Sequence, residues 1–197
     1  AQGIQLDTIA KITLVNLTIG ILIRQQYIIN LLFWLATSIP TTWPLSIRRR
    51  AGKVYHFGGI HIGGTVSGTL WFILFMGSLF YNFFNGTNEA AKSGALLWVT
   101  TLLTGILVFM IIMALPSIRA KYHDDFEKAH RFGGWTALIL FWVQTVIVTK
   151  ANMPDLSLFS ALVNSFSFWL LVVITISIAL PWLRLKKVKV DITRPSN

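Results

Sequence analysis

Four histidines carry the chemistry this sequence can do. His56 and His61 lie in Lys53-Val-Tyr-His-Phe-Gly-Gly-Ile-His61-Ile-Gly-Gly64. His130 lies in the look-alike segment Lys128-Ala-His130-Arg-Phe-Gly-Gly134, with His123 seven residues upstream. Each segment opens a long apolar stretch, so the histidines stand at the mouths of two helices. Imidazoles offered from two helices are a common way of gripping a haem iron from both sides. Electron transfer is therefore the first chemistry to consider.

On a helix, residues three, four and seven positions further on share a face. After His61 these are Gly64, Thr65 and Gly68, and after His130 they are Gly133, Gly134 and Ala137. Both columns are small, which leaves a slot for a flat macrocycle, and His61 and His130 lie furthest into their apolar stretches. That pair is expected to supply the axial ligands. His56 and His123 lie nearer the helix starts, as alternative ligands or as contacts to propionates or headgroups. Two stacked haems fit poorly, since His56 and His61 are separated by about 7.5 Å of helix and point about 140° apart. The same glycine columns also serve plain helix packing in membranes.

The elements that position these residues follow from composition. Of the 197 residues 54% are hydrophobic and 12% charged, about half the charge of a soluble domain. Apolar runs near the length of a membrane span recur, at about 8–24, 58–84, 93–115, 131–150 and 159–183. The expected fold is an all-α membrane protein of about five transmembrane helices, with an amphipathic interfacial helix near residues 26–39. That stretch is too short to span, and it carries Trp34 with Trp43 just beyond. Domain organisation reads as a transmembrane domain over 1–185 and a tail over 186–197.

The net charge of +10 is topological. Arg48, Arg49, Arg50, Lys53, Arg119, Lys121, Lys128, Arg131, Arg184, Lys186, Lys187, Lys189 and Arg194 fall on one side, and only Lys92 and Lys150 on the other. Thirteen against two puts the basic side and the C-terminus in the cytoplasm and the N-terminus outside. The expected partner of this surface is anionic lipid, and nucleic acid is not expected. Cysteine is absent, which excludes disulfides, thiolate catalysis and Cys-ligated metal centres. A zinc or non-haem iron site would draw on Asp124, Asp125 and Glu127 beside His123. Deep polar residues such as Gln144 and Asn164 read as helix-contact hydrogen bonds rather than a transport path.

The segment Phe126-Glu127-Lys-Ala-His130-Arg-Phe-Gly-Gly-Trp135 resembles the ferric-reductase-like transmembrane domain, in which that histidine binds haem b. The fuller pattern is similar to the TmpA-like integral membrane proteins. It comprises Ile23-Arg24-Gln25, Asn30-Leu-Leu-Phe33, Trp43-Pro44-Leu45, Arg48–Arg50, the His56–His61 segment and Phe126-Glu-x-x-His130-Arg-Phe. The resemblance implies a membrane part joined to a cytoplasmic module that binds FAD and NAD(P). Ferric reductases place a second histidine about fourteen residues along each helix, where this chain has Phe75 and Gln144. The implied cofactor is then a single haem b on the inner side.

The tail alternates Val188, Val190 and Ile192, which reads as the start of a strand, and it resembles the entry into the flavin-binding barrel of such a reductase module. No Gly-rich dinucleotide fingerprint follows a strand, so FAD and NAD(P) would come through another domain or partner. The functional expectation is an oxidoreductase component that accepts electrons from a cytoplasmic flavoprotein. In it His61 and His130 ligate iron, Gly64, Gly68, Gly133 and Gly134 admit the macrocycle, and Arg131 stands near the propionates. The rival expectation is a non-catalytic membrane anchor in a larger complex, with structural histidines.

Overall fold

A computed structural model describes residues 6–86 and 93–187, and among these the chain is helix and short connections with no strand. The expected strand over residues 188–192 lies outside the described residues. Among the described residues nine α-helices follow in order: α1 (Leu6–Leu22), α2 (Gln26–Thr37), α3 (Leu45–Ala51), α4 (Phe57–Asn85), α5 (Gly94–Ala114), α6 (Pro116–Lys121), α7 (His123–Asn152), α8 (Leu158–Val163) and α9 (Phe166–Leu183). A 3₁₀ turn, Gly52–His56, leads into α4.

Local chemistry sets the helix ends. The Ser93 hydroxyl caps α5 by accepting from the Leu96 amide, and the Gln25 side chain caps α2 by accepting from the Tyr27 amide at 2.6 Å. Such caps satisfy amides that have no partner inside the helix. Helix α4 stops at Gly86, whose φ of 65° is a left-handed conformation that glycine adopts freely. Leu115 is extended before Pro116, which separates α5 from α6.

Helices α4, α5, α7 and α9 are each long and apolar enough to cross a membrane. The remaining expected span divides differently. Helix α1 has 17 residues, which gives about 25 Å of rise, short of the ~30 Å hydrocarbon core. With α2 it forms a pair bent by 65° that would complete a fifth span. Helix α2 matches the short helix expected near 26–39 and has no buried residue. The run expected at 159–183 is broken at Asn164 and Ser165. Asn164 ends α8, its side-chain amide donating to the Ser160 carbonyl at 2.7 Å, while Ser165 turns extended before α9. The stretch 119–128, between the runs expected at 93–115 and 131–150, is helical apart from Tyr122. Asp124 and Asp125 stand in the first turn of α7, where carboxylates complement the helix dipole. His130 accordingly sits in the third turn of a 30-residue helix rather than at its mouth.

Helix α1 lies along α4, α5 lies along α7, and α9 closes the bundle against α1 and α7. The core runs through Leu17, Phe72, Phe75, Leu79, Leu103, Phe141 and Leu171. Phe72 stacks on Phe75 at 5.7 Å between centroids and meets Phe141 edge-on at 5.3 Å, geometries that aromatic quadrupoles favour. A bond from the Arg184 guanidinium to the Tyr27 hydroxyl ties the end of α9 to α2. The end of α1, the start of α4, the end of α5, the start of α7 and the end of α9 thus share one end of the bundle. That end carries the arginine-rich α3 and the basic residues of α6.

Candidate functional site

His61 projects from the second turn of α4 and is half-buried. Its Nδ1 lies 2.7 Å from the Gly20 carbonyl oxygen of α1. A carbonyl only accepts, so Nδ1 carries the proton and donates. The neutral ring then keeps its lone pair on Nε2. Fixing one ring nitrogen against a backbone carbonyl is the usual way an imidazole is oriented for ligation through the other.

His130, on α7, is also half-buried, and its Nδ1 is a buried polar atom with no hydrogen-bond partner among the described residues. The Phe126 carbonyl one turn earlier is near but outside hydrogen-bonding geometry. The Phe126 ring packs on the imidazole at 4.3 Å between centroids, and Arg119 lies over the other ring at 5.8 Å. His61 and His130 are close enough for a charge on one to act on the other. Helices α4 and α7 thus carry the two histidines singled out as ligands near the same end of the bundle.

His56 and His123 are exposed, unlike this pair. His56 ends the 3₁₀ turn and is exposed. His123 begins α7, exposed beside Asp124 at 3.8 Å. Among the described residues no group of three or more His, Cys, Asp or Glu could hold a metal ion. A haem iron asks for only two imidazoles, so that geometry concerns zinc and di-iron sites. Arg131 lies over the Trp182 ring at 5.9 Å, which keeps its guanidinium at the basic end.

The small columns above the histidines meet neighbouring helices. A Cβ built on Gly64 would stand 2.9 Å from the Asn16 carbonyl oxygen and 3.0 Å from the Gly20 amide nitrogen. One on Gly68 would stand 2.8 Å from the Leu17 side chain. Both glycines let α1 approach α4, and Gly20 answers them from the other side, its Cβ position 3.1 Å from the Thr65 amide nitrogen. On α7 Gly133 faces the Met110 side chain at 3.1 Å, whereas nothing lies within 4 Å of a Cβ on Gly134.

Sequence reasoning gave α1 no part in the site, yet its Gly20 carbonyl holds His61. The signal was there in the small and polar residues Thr13, Asn16 and Gly20, spaced three and four apart. Gln144 also differs from expectation. It is buried, its Oε1 has no partner among the described residues, and no helix contact satisfies it. Asn164 bonds within its own helix. The hydroxyls of Thr18, Thr65, Thr69 and Thr104 bond the carbonyl four residues back. Besides the His61–Gly20 and Arg184–Tyr27 bonds, a side-chain bond crosses helices from the Trp142 indole N–H on α7 to the Thr175 hydroxyl on α9 at 3.0 Å.

The fold is thus an all-helical bundle whose long apolar helices have the make-up of a multi-pass membrane protein. No family model and no solved structure matches the chain. Two curated proteins of Coprinopsis cinerea are similar to it. Adenylate-forming reductase 03009 is 42% identical over 185 residues, covering 93% of this chain and 18% of that protein. Adenylate-forming reductase 06235 is 41% identical over 179 residues, covering 90% of this chain and 17% of that protein. The chain spans less than a fifth of the length of these relatives.

Proposed function

We propose that this chain is the membrane-embedded part of a larger multidomain reductase, and that His61 and His130 hold one b-type haem near its basic end. The bond from His61 Nδ1 to the Gly20 carbonyl carries this reading, because it fixes the ring and reserves Nε2 as a ligand. The unpartnered Nδ1 of His130 on the facing helix supports it. The relatives are named as reductases and extend far beyond the matched segment, which leaves room for FAD- and NAD(P)-binding modules in the rest of such a protein.

The residues fit a haem in their donor set. Room for a macrocycle is a separate matter. Gly64 and Gly68 are taken up by α1, so space must come from the α7 side, where Gly134 faces nothing. A bound haem would supply one-electron transfer between a cytoplasmic flavoprotein and an acceptor. The chain's own part is to orient the His61 ring from α1 and to shield the His130 ring with Phe126. Arg119, over the Phe126 ring, adds positive charge beside His130.

Five spans, with α1 and α2 together forming one of them, accommodate the apolar helices. The basic end then faces the cytoplasm and its anionic lipids, and the N-terminus the outside.

A visible spectrum of the detergent-purified chain tests the haem. The expected result is a Soret band that is lost in a His61→Ala/His130→Ala double variant. A chain with no Soret band, or with one indifferent to that change, refutes the haem.

A second reading has a specific observation behind it. Since Gly20, Gly64 and Gly68 seat one helix against another, they suit a membrane anchor whose histidines are structural. An iron-free chain that still folds and co-purifies with the rest of its protein supports this reading.

A further inference from the structure

Helix α2 packs against the segment that runs from α3 into the 3₁₀ turn, and a shallow cavity of about 380 Å³ lies between them. One wall is a single face of α2. Leu32, Leu35, Ala36 and Ile39 line it, and their spacing of three, four and seven residues makes one apolar stripe. Arg50 and Lys53 line the other wall, and no acidic residue among the described ones joins them. Three residues apart, these two cations repel each other, and an anion between them relieves that.

The cations of this segment also differ from the rest of the basic end. Arg24, Arg119, Lys121, Arg131 and Arg184 each lie over an aromatic ring, a contact that engages a cation within the protein. Among the described residues Arg48, Arg49, Arg50 and Lys53 meet no acid and no ring.

We propose that this cavity holds one anionic phospholipid, with an acyl chain along the α2 stripe and its phosphate at Arg50 and Lys53. The proposal rests on the reading that the basic end lies at a membrane surface, and it narrows that surface to one site. A guanidinium fork and an ammonium are the usual pair of phosphate binders. An acidic protein segment would match the cations but leave the leucine wall without a partner. Free phosphate would do the same. A choline phospholipid would fill the apolar wall but bring a cation of its own toward Arg50 and Lys53. No histidine lines the cavity, so binding there is independent of haem.

The experiment titrates dioleoylphosphatidylserine, and separately dioleoylphosphatidylcholine, into the delipidated full chain in a neutral detergent. Native mass spectrometry reads the lipids bound. The expected result is one tight phosphatidylserine followed by weaker ones, with no tight step for phosphatidylcholine. Arg50→Gln/Lys53→Gln should weaken the tight step about thirtyfold, the contribution of two headgroup-facing cations. Arg48→Gln/Arg49→Gln removes the same charge outside the cavity and should weaken it only a few-fold. Leu35→Gln should weaken it several-fold at an unchanged melting temperature, since that side chain is half exposed. Glycerol 3-phosphate, which offers phosphate without a chain, should not displace the lipid. Displacement by it overturns the proposal, as does a parent chain with no tight step. Equal weakening by the two charge pairs overturns the cavity and leaves the basic surface standing, whereas indifference to both pairs overturns both. A His61→Ala/His130→Ala variant should bind the lipid as the parent does, so failure of the haem reading is told apart from failure of this one.

Discussion

The imidazole of His61 is held by the backbone of another helix, its Nδ1 2.7 Å from the Gly20 carbonyl oxygen. The contact exists because glycines at Gly20 and Gly64 let α1 and α4 approach until backbone meets backbone. The orientation of the ring and the packing of the helices are therefore one structural fact.

The glycines of α4 should divide sharply. Gly64→Ala forces a Cβ to within 2.9 Å of the Asn16 carbonyl oxygen, an atom that cannot rotate away. Overpacking of this kind costs about 1–3 kcal/mol. Gly63→Ala, one residue earlier, meets nothing within 4 Å, and the alanine improves helix propensity by up to about 1 kcal/mol. Thermal melts in detergent should show a lowered Tm for Gly64→Ala and an unchanged or raised one for Gly63→Ala. Equal melting temperatures would show that α1 does not pack on this face.

Leu79 is fully buried in the core of α4, and Leu79→Ala should cost about 2 kcal/mol. This is the low end of the range for buried leucines, because lipid tails solvate leucine well once the helices separate. Leu183→Ala, 80% exposed at the end of α9, should stay within about 0.5 kcal/mol of the parent. Reversible unfolding in mixed micelles measures both.

The Trp142 indole donates to the Thr175 hydroxyl across α7 and α9. Interhelical hydrogen bonds in membranes couple by about 0.6 kcal/mol on average. A double-mutant cycle on Trp142→Phe and Thr175→Val should return a coupling of that size. A coupling indistinguishable from zero would mean that α9 sits elsewhere in the bilayer-bound protein.

The three arginines of α3, Arg48, Arg49 and Arg50, are exposed at the basic end. Basic residues at an anionic surface contribute about 1 kcal/mol each. Replacing all three with Gln should reduce the share of phosphatidylserine retained around the purified chain, as measured by native mass spectrometry. The loss should shrink with added salt through screening. Retention that ignores both the substitutions and the salt would remove anionic lipid as the partner of this surface.

Much of this protein was legible one helix at a time. The apolar runs located α4, α5, α7 and α9, and Pro116, Gly86 and Ser93 marked where helices stop and start. His61 and His130 stood out because their spacing from small residues is a property of single helices. The break at Asn164–Ser165 was harder to see. Two polar residues in an apolar run fit a continuous helix as well as a break, and the extended backbone at Ser165 decided between them. The helical start of α7 was hidden in a different way. The charged stretch 119–128 reads as a solvated loop, although Asp124 and Asp125 are well placed for a helix N-terminus.

What the sequence determined by itself is which residues share a face: the small column above His61, the small column above His130, and the concentration of charge at one end. Tertiary structure decided what covers each face. Gly64 and Gly68 meet α1, Gly133 meets Met110, a Cβ on Gly134 would meet nothing within 4 Å, and the buried Gln144 Oε1 meets no partner among the described residues. The physical reason is that lipid tails and helix sides are equally apolar, so hydrophobic periodicity does not separate a lipid-facing surface from a packed one. Close approach is set by shape at individual glycines. Whether an approach ends on a helix or on an open space depends on residues as distant in sequence as Gly20 and His61.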